Sequence, residues 1–255
     1  MPVLSSVSKA LKLLDAFTAE KPELSLSELA RLAGAHKSSA FRLLGTLEAH
    51  GFVEKNGRTR GYRLGWKIGE LAGRLLARYD LRDLASPYME ELAQRTGEIV
   101  HLSILDGAEI VYLEKKGRSQ PLTISTTVGG RSPAHASAMG KVLLAGLADA
   151  DRRRLLAGLR LRRFTPTTIT DRRRLERELA CIRRQGWALD NEETFPGIRC
   201  VAAPLLDREA RVAAALSVTA PSQRMGVRRQ AEIRQWVIDT AARISERIRA
   251  GGINL

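Results

Sequence analysis

Aromatic residues are scarce in this 255-residue chain: five Phe, four Tyr and three Trp, 5% of the whole. So few rings exclude a protein that threads single-stranded nucleic acid over stacked side chains. Cysteine is scarcer still. Cys181 and Cys200 alone cannot build a disulfide framework or a four-cysteine zinc site, and both are expected as free thiols in a reducing compartment. No stretch approaches the roughly 20 consecutive apolar residues of a membrane span, and the N-terminus lacks the basic start and apolar run of a secretory signal, so a cytoplasmic protein is expected. The chain also lacks a P-loop, a dinucleotide fingerprint, a nucleophile elbow, a His-Glu-x-x-His pair, internal repeats and a low-complexity tail. Acidic residues are the minority charge, 28 against 42 Lys and Arg, for a formal net charge of +14.

Apolar residues at 44% suffice for packed cores, and the length suits two modest domains. The positive excess favours a polyanionic partner, because each neutralised phosphate releases condensed counterions. Most of that excess is diffuse. Arginine outnumbers lysine 33 to 9, and Arg152 to Arg154 and Arg172 to Arg174 read as solvated helix faces. The window from Arg31 to Lys67 differs, with eight basic residues against two acids, Glu48 and Glu54.

That window contains a motif. Val7, Ala10, Leu11, Leu14 and Phe17 recur at helical steps, predicting an amphipathic helix from about Ser6 to Ala19 that Lys21-Pro22 ends. Ser25 followed by Glu28 makes a capping box, with Leu24 and Leu29 as its hydrophobic staple, so a second helix starts there and runs to about Ala33. Gly34 supplies a turn. A third helix follows from about His36 to His50, with Ala40, Leu43, Leu44 and Leu47 inward. The period then changes to two: Phe52 to Lys55 and Tyr62 to Leu64 read as strands around an Asn56-Gly57 turn. Three helices and a basic-tipped hairpin predict a winged helix-turn-helix whose third helix enters the major groove of duplex DNA. On it His36, Lys37, Ser38, Ser39, Arg42 and Thr46 face outward. Arg42 suits a guanine edge, whereas Lys37, Ser38, Ser39 and the wing residues Arg58 and Arg60 suit phosphates. The competing reading is a three-helix domain for protein contacts.

From Gly65 a connecting helix is expected, with Trp66, Ile68, Leu71, Leu75 and Leu76 as packing residues. A helix from about Arg82 to Arg95 precedes strands Ile99 to Leu105 and Ile110 to Lys116 around Asp106-Gly107, then a possible strand Leu122 to Ser125. Gly129 to Pro133 reads as a loop, and a helix follows from about Ser137 to Leu147. Arginine-rich helices near 149 to 158 and 171 to 185 come next, then strands Ala188 to Asp190, Cys200 to Leu206 and Val212 to Thr219. A last helix runs from about Val227 to Arg249. Helices packed around an antiparallel sheet make an α+β domain. The boundaries are 1–65 for the winged helix-turn-helix, 66–81 for the linker helix and 82–255 for the second domain.

Four strings in their order and spacing carry a resemblance that covers nearly the whole chain. They are Lys37-Ser38-Ser39 with Arg42-Leu43-Leu44, Tyr62-Arg63-Leu64-Gly65, Ser137-Ala138-Met139-Gly140-Lys141, and Gly197-Ile198-Arg199-Cys200-Val201-Ala202-Ala203-Pro204. Together they resemble the IclR family of bacterial transcriptional regulators. The resemblance implies a C-terminal GAF-like domain that binds a small organic or aromatic acid effector, and a homo-oligomer, dimer or dimer of dimers, on operator DNA. It implies no cofactor and no catalysis. The family's pocket falls here on Ala138, Met139, Asp190, Cys200, Ser217 and Thr219. The chain departs from the family pattern at His36, where proline is common, at Phe41, where a polar residue is common, and at Ser217-Val218-Thr219-Ala220-Pro221 in place of Ser-x-Ser-Gly-Pro.

Physical chemistry gives those residues a role. A helix beginning near Ser137 presents the free amides of Ala138, Met139 and Gly140 to a carboxylate. Ser217 and Thr219, two apart on a strand, face one side, and Cys200 on the neighbouring strand can share it. Asp190 is an acceptor. Each residue also has a plainer reading: Cys200 as a small core residue, the two hydroxyls bonded to nearby backbone, Asp190 paired with an arginine, and Lys141 reaching solvent or an acid. Two other functions draw on the same region. A zinc sensor would gather His101, His135, Asp190, Glu192, Glu193 and Cys200, and a small-molecule enzyme would use Cys200 with a histidine.

Overall fold

The computed structural model describes residues 3–76, 81–117 and 126–251, and the chain divides into two compact units, Met1–Arg78 and Tyr79–Leu255. In the first, α1 (Ser5–Asp15), β1 (Glu23–Leu24), α2 (Leu26–Leu32), α3 (Lys37–Ala49), β2 (Val53–Lys55), β3 (Tyr62–Leu64) and α4 (Trp66–Leu76) follow in order. The capping box forms: Ser25 Oγ accepts the Glu28 amide at 3.3 Å, and the Glu28 carboxylate accepts the Ser25 amide at 2.9 Å. Gly34, at φ +62°, makes the turn into α3 in a backbone region that penalises other side chains. The core joins Leu13, Leu29, Ala30, Ala40, Leu44, Val53 and Tyr62.

Four details differ from the sequence reading. The inward residue of α1 is Leu13, fully buried with Leu14 and Phe17 beside it, while Val7 and Leu11 stay 52% and 56% exposed. The helix is apolar on two sides, and spacing alone cannot say which side meets α2 and α3. The helix also stops at Asp15 rather than Ala19. A third strand, β1, joins the hairpin in the order β1-β3-β2, and Glu23 at its start accepts hydrogen bonds from Asn56 Nδ2 (2.9 Å) and from the Thr59 hydroxyl, pinning the wing. On α4, Trp66 is 87% exposed rather than packed and Leu71 is also exposed. The side chains of Leu75 and Leu76 lie outside the described residues.

The second unit runs α5 (Leu81–Thr96), β4 (Ile99–Asp106), β5 (Glu109–Lys116), β6 (Arg131–Pro133), α6 (Ala138–Gly146), α7 (Asp149–Gly158), α8 (Arg172–Gln185), β7 (Ala188–Asn191), β8 (Ile198–Leu206), β9 (Val212–Pro221) and α9 (Val227–Gly251). The six strands form an antiparallel sheet ordered β6-β5-β4-β9-β8-β7. Alternation along each strand sends Val100, Leu102, Val201, Leu216 and Val218 to the face covered by α5 and α9, and Ala188, Ala202 and Ala215 to the face covered by α6 and α8. This is the α+β class read from the sequence. Ser132-Pro133, read as loop, instead pairs with β5 as a short edge strand. Three residues without alternation carry no strand signal, and an edge tolerates proline because no donor is needed on its outer side. The expected strand Leu122 to Ser125 lies outside the described residues.

Candidate functional site

Two places carry the residues singled out above. On α3, the apolar row Ala40, Leu43, Leu44 and Leu47 packs into the core, which turns Lys37, Ser38, Arg42 and Thr46 outward, with Ser39 half-buried and His36 exposed at the N-cap. Arg58 and Arg60 are exposed at the wing tip, where Asn56 Oδ1 accepts the Arg58 amide at 3.0 Å and Arg60 sits at φ +60°. Arg63 pairs with Glu54, and Lys67 and Arg74 pair with Glu70; among the described residues Lys37, Arg42, Arg58 and Arg60 have no such carboxylate. The third helix and the wing tip thus present cations that no described carboxylate holds. Thr46, expected to face a ligand, donates its hydroxyl to the Arg42 carbonyl at 3.1 Å.

In the second unit a cavity of about 40 Å³ opens over the sheet face beneath α6. It is lined by Ala138 and Met139 at the helix start, Asp190 on β7, Cys200 on β8, and Ser217 with Thr219 on β9. Register brings them together: Asp190 pairs with Cys200, Cys200 with Thr219, and Ser217 with His101. His101, Tyr112, Thr126, Ser132, Thr194 and Phe195 also line it, and the sequence reading did not place them there. A signal existed for His101. In Val100-His101-Leu102-Ser103 the apolar residues face α5 and α9, so the polar ones must face the opposite side.

Among the described residues no lysine or arginine lines this cavity. Burial pushes the Asp190 carboxyl up to about 6, against the pull of the Thr194 hydroxyl and the Glu193 amide, which it accepts at 2.8 and 2.6 Å. Its partners are these groups rather than an arginine. Burial, helped by the Lys115 charge, pushes His101 down to about 3, so its ring is neutral, bonded to Thr126 Oγ1 (2.8 Å) and Thr219 Oγ1 (3.3 Å). The Cys200 thiol, 3.2 Å from Thr219 Oγ1, is pushed up by burial and then by Asp190, which keeps it protonated and a poor nucleophile. Ser217 Oγ is buried with no hydrogen-bond partner among the described residues. At the mouth of α6, Ser137 Oγ accepts the Gly140 amide at 3.1 Å, so Gly140 does not offer the free amide expected of it. A Cβ on Gly140 would lie 2.3 Å from the Ala134 backbone, so only glycine lets the helix start this close. Among the described residues the amides of Ala138 and Met139, at the positive end of the helix, have no partner.

Lys141, expected to reach solvent or an acid, is fully buried and reaches the acid. Its Nζ lies 2.6 Å from Glu193 Oε1, 2.6 Å from the Leu189 carbonyl and 3.5 Å from Glu178 Oε1. The hydroxyls of Thr165 and Thr168 donate to the Glu193 carbonyl at 3.3 and 2.6 Å. These bonds fix the end of β7, which carries Asp190 to the cavity, and the segment after it, which carries Thr194.

The groups weighed for zinc are spoken for or separated. His135 Nε2 meets the Arg162 carbonyl at 2.9 Å beside the Phe164 ring, Glu192 pairs with Arg199, and Glu193 holds Lys141. Among the described residues no three His, Cys, Asp or Glu side chains gather as a metal site would need, and no helix is long and apolar enough to cross a membrane.

The model of the IclR helix-turn-helix domain matches residues 6–57, and that of the bacterial transcriptional regulator IclR C-terminal domain matches residues 73–246. The chain is 42% identical over 226 residues to the HTH-type transcriptional regulator XynR of Escherichia coli, covering 88% of this chain and 89% of that one. It is 36% identical to KdgR of the same organism, over 95% of this chain and 92% of that one. Two solved structures share the fold end to end. The Thermotoga maritima IclR has a TM-score of 0.80 at 31% identity over 96% of this chain and 98% of that one. An IclR homolog from Microbacterium hydrocarbonoxydans, complexed with 4-hydroxybenzoate, has a TM-score of 0.84 at 29% identity over 96% and 99%. A DNA-binding helix-turn-helix joined to an effector-binding domain is thus matched in each half and across the whole, and the chain belongs to the IclR family of bacterial transcriptional regulators.

Proposed function

We propose that residues 1–65 grip operator DNA through His36, Lys37, Ser38, Ser39, Arg42, Arg58 and Arg60, that 66–81 link the halves, and that 82–255 bind a small organic acid. The effector site is Ala138, Met139, Asp190, Cys200, Ser217 and Thr219. The observation that carries this reading is the buried Ser217 hydroxyl, unpartnered among the described residues in a cavity that has the helix-start residues Ala138 and Met139 in its lining but no described cation. An unpaired buried hydroxyl costs about 1 to 3 kcal/mol, which a ligand donor or acceptor recovers. The amides suit a carboxylate, and Asp190 and Ser217 suit a hydroxyl or hydrated carbonyl on the same molecule. The protein complexed with 4-hydroxybenzoate carries both groups on its ligand, which supports the class.

The regulator works without catalysis in the cytoplasm, as repressor or activator, on near-palindromic operators whose half-sites lie one helical turn or a multiple apart. Such an operator calls for two copies. Val7 and Leu11 on α1 with Trp66 and Leu71 on α4 leave apolar surface uncovered in one copy, consistent with self-association. The test is a thermal-shift series with 4-hydroxybenzoate and short 2-hydroxy and 2-oxo acids on the full chain. A binding acid raises Tm and changes the affinity for a promoter duplex. No response to any acid in the series, with DNA binding intact, would remove the effector assignment.

A further inference from the structure

Phe41 is the one large apolar side chain on the outward face of α3, 55% exposed among polar neighbours. Ser38 and Gly45 lie three residues before it and four after, Arg42 beside it, and all are exposed on the same side of the helix. Gly45 is the second observation. A glycine inside a helix weakens it relative to alanine, and nothing within this chain requires one here. A Cβ built on Gly45 would meet no atom within 4 Å, and its φ is not left-handed. A missing side chain without an internal reason makes room for something external. Ser38, Phe41 and Gly45 thus form a low strip with one raised ring, next to the guanidinium of Arg42.

The reading of α3 as the groove-entering helix, on which this step rests, decides what the ring meets. Base edges in the major groove display donors, acceptors and one apolar group, the 5-methyl of thymine. Exposed phenyl surface cannot satisfy the polar edges, and it gains by covering the methyl. We propose that Phe41 is a specificity-determining residue that packs on a thymine 5-methyl close to the base met by Arg42, with Gly45 allowing the helix to lie near the groove floor.

The experiment starts from a random duplex library sorted by binding to the full chain, since no operator is needed in advance. The wild-type protein selects a thymine at a defined position, and replacing that thymine by deoxyuridine, which removes only the methyl, weakens binding about fourfold. Phe41→Ala loses a similar factor on the thymine duplex, becomes indifferent to the replacement, and keeps its melting temperature because the ring is exposed. If every thymine-to-deoxyuridine duplex binds wild type equally, or if Phe41→Ala retains the preference and alters only the oligomeric state, the inference fails. Arg42→Ala separates the two levels. Unchanged selection in that variant would overturn α3 as the reading helix, whereas changed selection without a methyl effect overturns Phe41 alone.

Discussion

At the scale of single residues, Asp190 ties burial to pH. Its carboxyl is held up near 6 by burial, against about 3.9 in an unfolded chain. Between about pH 4 and 6 the folded protein keeps a proton that the unfolded chain has released, so this group's contribution to stability falls as pH rises through that window. Asp190→Asn removes the slope. Denaturant titrations at pH 4.5 and 7.5 should show the variant gaining on wild type by about 2 kcal/mol between the two, and an unchanged difference would show that Asp190 titrates normally. Ser217→Ala should act with opposite signs on fold and function. Deleting an unpartnered buried hydroxyl leaves the ligand-free protein as stable or slightly more so, while affinity for the effector drops by about 1 to 3 kcal/mol in calorimetry. That these six residues share one cavity was legible because the family resemblance carried them, with Ala138 and Met139 at a helix start and Asp190 near a strand end. Thr194 was not, and for His101 only the sheet face was, since nothing local in the sequence tells which strands will be neighbours, and β4 meets β9 only across more than a hundred residues.

At the scale of elements, stop and start chemistry was the most legible part. Ser25 with Glu28, Asp171 capping α8 through the Arg174 amide at 2.7 Å, and Gly186 at φ +77° closing α8 are local signals, and those helix ends fall within a residue or two of the expected places. The inward face of α1 and the edge strands β1 and β6 were illegible because they depend on what is packed alongside. Ser25→Ala should cost about 1 kcal/mol of first-unit stability, read as a lowered denaturant midpoint. Lys141 makes a sharper case, because α6 is joined to the segment after β7 through a buried ion. Lys141→Met leaves the Glu193 carboxylate buried and unpaired, with an expected loss of about 3 to 5 kcal/mol. The double change Lys141→Met with Glu193→Gln should recover much of it, and equal losses in the single and double variants would mean that the pair does not act together.

At the scale of the whole molecule, the formal charge of +14 is less a uniform field than a matter of which cations are already engaged. In the second unit Arg82, Arg131, Arg211, Arg224 and Arg243 pair with Glu114, Asp106, Asp207, Glu98 and Glu91, while in the first Lys37 and Arg42 on the third helix and Arg58 and Arg60 at the wing tip have no carboxylate partner among the described residues. Net charge was legible in composition, but its allocation was not. Binding to a selected duplex should weaken as the logarithm of salt rises, with a slope near −0.9 per neutralised phosphate. Arg58→Ala and Arg60→Ala should each reduce that slope by about 1 and weaken selected and random duplexes alike. Arg42→Ala should cost about 1 to 3 kcal/mol on the selected duplex and little on random DNA, because a base-edge contact discriminates where a phosphate contact does not. Arg153→Ala, exposed on α7, serves as the control for a diffuse field. If it lowers the slope as much as the wing variants do, DNA is held by overall charge and the groove geometry of α3 and the wing is not what positions it.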